Sequence, residues 1–296
     1  VDTAARVAAY GVKCVASHYF LRKPVPLIRG LVLSNRCNLR CQHCNLSTRG
    51  TNDMTLAEAF RAIDDFYREG GRCLYLEGGE PFLWRDGTYS LEDVVDYARR
   101  RGYLTVVVYT NGTFPITTAA DTVFVSVDGL RATHDVLRGK SFIRIMANIQ
   151  NSGHPSIFVN YTINSRNRDD IRAFCEYVNE IDRVRAVFFY FHTPYYGYDD
   201  LYLQPEERRR IVEELLELRK SYRILNSRAG LLSALRNDWK RPLGVCSVYE
   251  NGVVYPCCRY SSDPELCRQC GYLSYAEIDQ TWKLKPSAVL NALKYF

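Results

Sequence analysis

From Arg29 to about His192 the chain alternates short apolar runs with stretches of helical periodicity, and nothing else in it constrains the fold so tightly. A helix between two strands carries the chain back to the end where it started, so neighbouring strands run parallel in one sheet. The runs Leu31–Ser34, Cys73–Leu76, Thr105–Tyr109, Val123–Val127, Ile157–Ile163 and Ala186–Phe191 read as six strands. Thr55–Glu69, Leu91–Arg101, Phe142–Gln150 and Asp169–Asn179 read as helices between them, the first opened by a T-x-x-E capping box at Thr55 and Glu58. The expected fold class is α/β, a partial (β/α)6 barrel amounting to about three quarters of the closed eightfold form. A charged helix over Pro205–Tyr222, with its proline near the first turn, closes the barrel portion. The expected division is an N-terminal helix within 1–28, the barrel over 29–222, and a linker helix (Arg228–Asn237) with a small cysteine-rich extension over 223–296.

The first strand runs into R-C-N-L-R-C-Q-H-C-N between Arg36 and Asn45, which sets Cys37, Cys41 and Cys44 in a C-x3-C-x2-C array. A 4Fe-4S cube is normally closed by four cysteines. Three would leave one iron open to bind and activate another molecule, as catalytic zinc keeps an open position. Zinc itself is the competing reading of any short cysteine cluster. The later motifs stand at the carboxyl ends of strands, the face on which parallel βα architectures bind ligands. After the second strand come Gly78, Gly79, Glu80 and Pro81, where paired glycines suggest close backbone approach to a ligand. Tyr109, Thr110 and Asn111 end the third. Ser126 and Asp128, two apart and hence on one face, end the fourth and lead into L-R-A-T-H-D-V-L-R-G.

These motifs closely resemble those of the radical S-adenosylmethionine (SAM) superfamily: C-x3-C-x2-C, G-G-E-P letter for letter, and S-x-D-G…H-D…R-G. The resemblance implies that Cys37, Cys41 and Cys44 are the catalytic cysteines of a 4Fe-4S cluster whose open iron is chelated by the methionine portion of SAM. An electron from that cluster would break the sulfonium carbon–sulfur bond, giving a 5'-deoxyadenosyl radical that abstracts a hydrogen atom from substrate. It also implies that the Gly78 to Pro81 segment binds the methionine amino group, and that Ser126 and Arg138 bind its carboxylate. Arg138 suits this physically, because a guanidinium fork matches a carboxylate. Asn160 is placed at the ribose and His43 near the adenine, while Thr110, Asn111 and Asp128 complete the candidate SAM-binding set. For His134 a hydrogen-bonded loop histidine fits as well as a ligand. The sixth strand reads A-V-F-F-Y-F-H-T and lacks the family's G-x-I-x-G-x-x-E, which leaves adenine contacts there unassigned.

From Val245 the sequence changes character to V-C-S-V-Y-E-N-G-V-V-Y-P-C-C and then P-E-L-C-R-Q-C-G. The Glu250-Asn251-Gly252 turn is a hairpin signal that would bring Cys246 near Cys257. Cys267 and Cys270 add a second pair, and four thiolates complete a closed site. Cys258 competes with Cys257, which the spacing favours. This tail resembles the SPASM or twitch appendage of radical SAM enzymes, where G-x4-C follows a hairpin, matched here from Gly252 to Cys257. The resemblance implies one auxiliary 4Fe-4S cluster, because the full seven-cysteine pattern is absent and Cys246 stands closer to Gly252 than usual. A structural zinc site is the alternative. Cys14, Cys73 and Cys175 read as buried small apolar residues.

The net charge of +6 over 296 residues is spread along the chain and forms no basic stripe, which argues against nucleic acid as a partner. No run approaches the ~20 apolar residues of a membrane span. The segment Ala4–Leu21, interrupted by Arg6, Lys13 and His18, reads as a helix packed on the barrel, and nothing further supports membrane contact. Eleven cysteines, odd in number and grouped like metal ligands, argue against disulfides. An oxygen-labile cluster points to a reducing cytoplasm. The expected partners are a small-molecule or lipid-like substrate and a reductant such as flavodoxin or ferredoxin. Peptide or RNA modification is the alternative substrate reading, and a non-catalytic zinc- or iron–sulfur-binding protein the alternative class. Phe188, Tyr190 and His192 share one face of the sixth strand. Tyr190 and His192, with Tyr109 and Tyr161, are the candidate substrate-pocket residues, although core packing is the better-favoured reading of such aromatics.

Overall fold

A computed structural model describes residues 3–20, 25–44, 53–194, 199–258 and 263–295; Leu21 and Asn45, which end two of the segments read from sequence, lie outside them. Six strands pair in parallel in chain order: β1 (Ile28–Val32), β2 (Cys73–Glu77), β3 (Thr105–Thr110), β4 (Thr122–Ser126), β5 (Ile157–Ile163) and β6 (Val184–Phe191). Helices α1 (Thr3–Phe20), α2 (Leu56–Glu69), α3 (Leu91–Arg101), α4 (Arg131–Arg138), α5 (Phe142–Gln150), α6 (Ile171–Asn179), α7 (Pro205–Leu218) and α8 (Arg228–Arg236) accompany them. The capping box at the start of α2 is formed: Thr55 Oγ1 accepts from Glu58 N, and Glu58 Oε2 accepts from Thr55 N at 2.8 Å. Helix α4 was not anticipated, because its eight residues carry too few apolar side chains to show a helical period.

Alternation along the strands sorts side chains between two layers. Leu74, Leu76, Val106 and Val108 pack outward with Ala59, Ile63 and Phe66 of α2 and Val94 and Ala98 of α3. The opposite face carries a row of rings crossing four strands: Tyr75 to Tyr109 at 5.9 Å, Tyr109 to Phe124 at 5.1 Å and Phe124 to Phe158 at 5.2 Å.

The cysteine-rich segment is built into the same sheet. The hairpin β7 (Cys246–Glu250) and β8 (Val253–Pro256) turns through Asn251 and Gly252, both with positive φ, as a two-residue primed turn requires. Strand β7 then pairs in parallel with β1, Ile28 opposite Cys246 and Leu31 opposite Tyr249. The result is one open eight-stranded sheet, ordered β8-β7-β1-β2-β3-β4-β5-β6. Buried Arg29 ties the join by donating to the Ser247 hydroxyl and, at 2.8 Å, to Glu69. Three helices follow, α9 (Pro264–Arg268), α10 (Leu273–Trp282) and α11 (Pro286–Tyr295). Helix α10 is anchored to α8 through Gln280 on Ser233 and Glu277 on Ser227. All eleven cysteines are free thiols. No described helix is long and apolar enough to cross a membrane.

Candidate active site

The cysteine loop leaves the carboxyl end of β1 and is strapped down on two sides. Gly79 N donates to Ser34 O at 2.7 Å and Glu80 N to Arg36 O at 2.8 Å. A β-carbon on Gly78 or Gly79 would collide with the Ser34 or Arg36 carbonyl oxygen, so this loop's own backbone is what requires the glycine pair. On the other side Gln42 N donates to Leu137 O at 2.9 Å and Gln42 Nε2 to Val136 O at 2.9 Å, fixing the loop to the end of α4. Arg166 adds a bond to Gln42 Oε1 at 2.8 Å.

Glu80 is fully buried and its carboxylate is shared among three donors: Phe82 N, Thr110 Oγ1 at 2.8 Å and Asn111 N at 2.7 Å. Burial pushes its pKa up against those bonds. Pro81 opens the short turn Pro81–Leu83. Glu80 therefore acts on the site through Thr110 and Asn111. Asn111, so fixed, points Nδ2 at Cys37 Sγ (3.6 Å), and Leu39 N lies 3.4 Å from the same sulfur. Asn38 and Thr113, which the sequence reading did not single out, complete the network by bonding to the Asn111 side chain.

Asp128, also fully buried, organises the far side. It accepts from Arg138 Nε at 2.5 Å and Thr162 N at 2.7 Å, and lies 3.7 Å from His43 Nε2. Burial is the largest single influence on the Asp128 pKa and pushes it up; Arg138, His43 and the Thr162 N–H together outweigh it and leave the carboxyl below its ordinary value. Arg138 turns Nη1 toward Cys41 Sγ at 3.8 Å. Burial pushes the Cys41 thiol up to about 11 despite that cation, so the thiolate form needs a metal to hold it. His43 is driven down to about 4 by burial and then by Arg138. Ser126 sits opposite Asn160 across β4 and β5.

His134 is an internal strut: Nδ1 accepts from Asp128 N at 3.1 Å and Nε2 lies 3.0 Å from Ser141 Oγ. Burial, then Arg138, lowers its pKa to about 4. The unfolded chain binds this proton near pH 6.5 and the folded one does not. Stability should therefore be intact above about pH 6.5 and decline as pH falls toward 4, with this residue contributing ~2 kcal/mol of the loss. Urea melts at pH 7.5 and 5.0 should show the decline, and a His134→Gln variant should show a flatter one.

Among the described residues, three buried polar atoms of this region have no hydrogen-bond partner: Asn35 Oδ1 and His43 Nδ1 on the cysteine loop and Asn160 Oδ1 on β5. Buried polar atoms are paired as a rule. Two orphans on the loop that carries the three thiols and a third on the inner face of β5, with two of the thiols facing nitrogen donors, fit an iron–sulfur cluster with a polar ligand bound next to it.

Of the substrate candidates, Tyr109 and Tyr190 stand on the inner face and are hydrogen-bonded to each other. His192 is held there by Asp199, Nε2 to Oδ2 at 2.8 Å. Tyr161 is a correction. It points outward, donating to Asn167 O at 2.6 Å and packing on Phe174 of α6, because it follows inward-facing Asn160 and alternation forbids both from facing the interior.

A second cysteine site lies where the tail meets β6. Cys257, Cys258, Cys267 and Cys270 line one small cavity with Thr193 and Arg241. The hairpin does bring Cys246 against Cys257, whose N–H donates to the Cys246 carbonyl at 3.0 Å; the departure from the sequence reading is that the Cys246 thiol is buried on β7 and bonded to the Tyr75 hydroxyl, while Cys258 lines the cavity. Gly271 joins this loop to the barrel, its N–H on Thr193 Oγ1 and its carbonyl on Phe191 N, both at 2.9 Å. The one sequence signal for it was a glycine directly after the Cys267 and Cys270 pair.

A parallel α/β sheet with thiols and unpaired buried polar atoms at the carboxyl ends of its strands has the architecture of a ligand-binding α/β enzyme. The chain belongs to the radical SAM superfamily, whose family model matches residues 31–178, half of its length. Members use a 4Fe-4S cluster and SAM and require a reductant and a substrate. Among curated proteins it is similar to the pre-heme d1 synthase of Dinoroseobacter shibae, 37% identical over 120 residues, 36% of this chain and 28% of that protein. It is also similar to the antilisterial bacteriocin subtilosin biosynthesis protein AlbA of Bacillus subtilis, 27% identical over 150 residues, 46% of this chain and 32% of that protein. The chain thus matches about a third or less of either relative's length. In fold it is similar to Streptococcus suis SuiB bound to precursor peptide SuiA, with a TM-score of 0.65, 15% identity and coverage of 94% of this chain and 69% of that one.

Proposed function

We propose that this enzyme carries a 4Fe-4S cluster on Cys37, Cys41 and Cys44, binds SAM beside it, and abstracts a hydrogen atom from a small-molecule or lipid-like substrate, aided by an auxiliary 4Fe-4S cluster in the tail. The observation that carries this reading is the set of unpaired buried atoms beside the three thiols, on Asn35, His43 and Asn160. When bound, SAM and its cluster supply a 5'-deoxyadenosyl radical. The chain's own part is to bind and orient. Arg138, whose Nε is engaged by Asp128 and whose Nη1 turns to Cys41 Sγ, would offer Nη2 to the SAM carboxylate, with Ser126 alongside. Asn160 Oδ1 accepts from a ribose hydroxyl and His43 Nδ1 from the adenine amine, satisfying both orphans. The Gly78 to Pro81 turn meets the methionine amino group, and Thr110 and Asn111 hold that turn to the cluster loop through Glu80.

Inner-face Tyr109, Tyr190 and His192 line the substrate chamber. Their rings and hydroxyls suit a compact substrate with one polar group, held so that a single C–H bond faces C5' and water is kept out. The likenesses to SuiB bound to a peptide and to a bacteriocin biosynthesis protein favour a peptide as the second reading. The barrel region 29–222 carries the SAM chemistry, 223–296 the auxiliary cluster, and 1–28 a covering helix. The working compartment is the cytoplasm, with flavodoxin or ferredoxin as reductant. Anaerobic reconstitution should yield about eight irons per chain for two cubes and, after reduction with SAM, 5'-deoxyadenosine. An iron-free chain that leaves SAM intact would end this reading. Deuterium transfer into 5'-deoxyadenosine from labelled small-molecule and peptide pools decides between the substrates.

A further inference from the structure

Neighbouring residues at the end of a strand point to opposite sides, so Cys257 and Cys258 would not ordinarily share a cavity. Here they do. Cys257 has φ of 76°, a left-handed conformation that a non-glycine residue adopts rarely and mostly at functional sites. The kink falls directly after β8, both thiols line the cavity, and they are hydrogen-bonded to each other. Cys267 and Cys270 complete the lining from the other side. Cys246 packs against Cys257 and Cys270 on the inner side of β7, but its thiol is bonded to the Tyr75 hydroxyl and is not among the residues lining the cavity, while its neighbour Ser247 faces Arg29 on the other side. Arg241 Nη1 stands 2.7 Å from Cys267 Sγ, a charged donor aimed at a cavity sulfur.

Building on the auxiliary-cluster reading above, we propose that Cys257, Cys258, Cys267 and Cys270 are its four ligands, that Cys246 is not one, and that Arg241 raises the cluster's reduction potential through its bond to Cys267. Four thiolates leave no iron free to bind substrate, so such a cluster can exchange only an electron. A cation hydrogen-bonded to a ligand sulfur stabilises the more negative, reduced state, and hydrogen bonds and local charge are among the factors that set these potentials. Arg241 is a positioning and tuning residue, without contact to the SAM site.

The test uses the full chain with Cys37, Cys41 and Cys44 replaced by alanine, so that iron reports the tail alone. After anaerobic reconstitution this parent and its Cys246→Ser derivative should hold about four irons and give the same EPR spectrum on reduction. Cys258→Ala should lose the cluster, and Cys258→Ser, which can still offer an oxygen, should change the spectrum. Loss of iron in Cys246→Ser with an unaltered spectrum in Cys258→Ser would overturn the ligand assignment while leaving an auxiliary cluster in place. An iron-free parent would instead overturn the auxiliary-cluster reading itself. Arg241→Gln should lower the midpoint potential by about 59 mV or more, a tenfold change for one electron, and Arg241→Lys should restore most of it. An unchanged potential in Arg241→Gln would refute the tuning role.

Discussion

Replacing Cys41 by alanine should abolish 5'-deoxyadenosine formation while the chain remains folded. The site has three thiols and no fourth to substitute, and Cys41 is the one whose sulfur faces Arg138. Without it the proposed cluster would lose one of its three protein ligands, and Arg138 would lose the sulfur it faces. Reconstituted iron should fall from about eight to about four per chain if the tail cluster is undisturbed. Chromatography of the reduced reaction mixture reads the nucleoside directly, and undiminished SAM cleavage in this variant would refute the site.

The second large effect is expected at Gly271→Ala. An added β-carbon would collide with the Phe191 carbonyl oxygen, at a residue whose N–H and carbonyl both bond to the end of β6. The loop carrying Cys267 and Cys270 must then lift away from the barrel. Overpacking of this kind with loss of two hydrogen bonds should cost about 2–4 kcal/mol. Thermal melts should show a clear drop in Tm, and iron in the tail should fall while SAM cleavage persists. Gly153→Ala, where nothing stands near the added carbon, serves as the control. An unchanged Tm and iron content for Gly271→Ala would mean the loop is not docked through this residue.

The fold was legible because strand and helix periods differ, and six repeats of one alternation leave few topologies. The proposed SAM-site residues could be placed for a different reason: each motif sits at a strand end, so the order of motifs and the order of strands fix one another. Alternation could also have excluded Tyr161, since it follows Asn160. What stayed hidden depended on contacts between distant segments. Arg241, Gln42 and Asp199 carry no local pattern, and their roles exist only because α4, the Cys267 loop and β6 are brought beside them. Cys258 was obscured by a single backbone angle at Cys257, which spacing does not encode. The glycine pair at Gly78 and Gly79 was read correctly as close approach, but what approaches is the cysteine loop's own backbone.

The pairing of β7 with β1 has a bearing on biogenesis. Ile28 and Cys246 are paired neighbours although more than two hundred positions separate them, so on a ribosome one side of β1 stays a bare sheet edge until those intervening residues and β7 have been translated. Bare edges invite pairing with other polypeptides, and contacts of such long sequence separation form late. The cysteine loop hangs from that strand, so the proposed loading of iron there should follow the closing of this edge by β7.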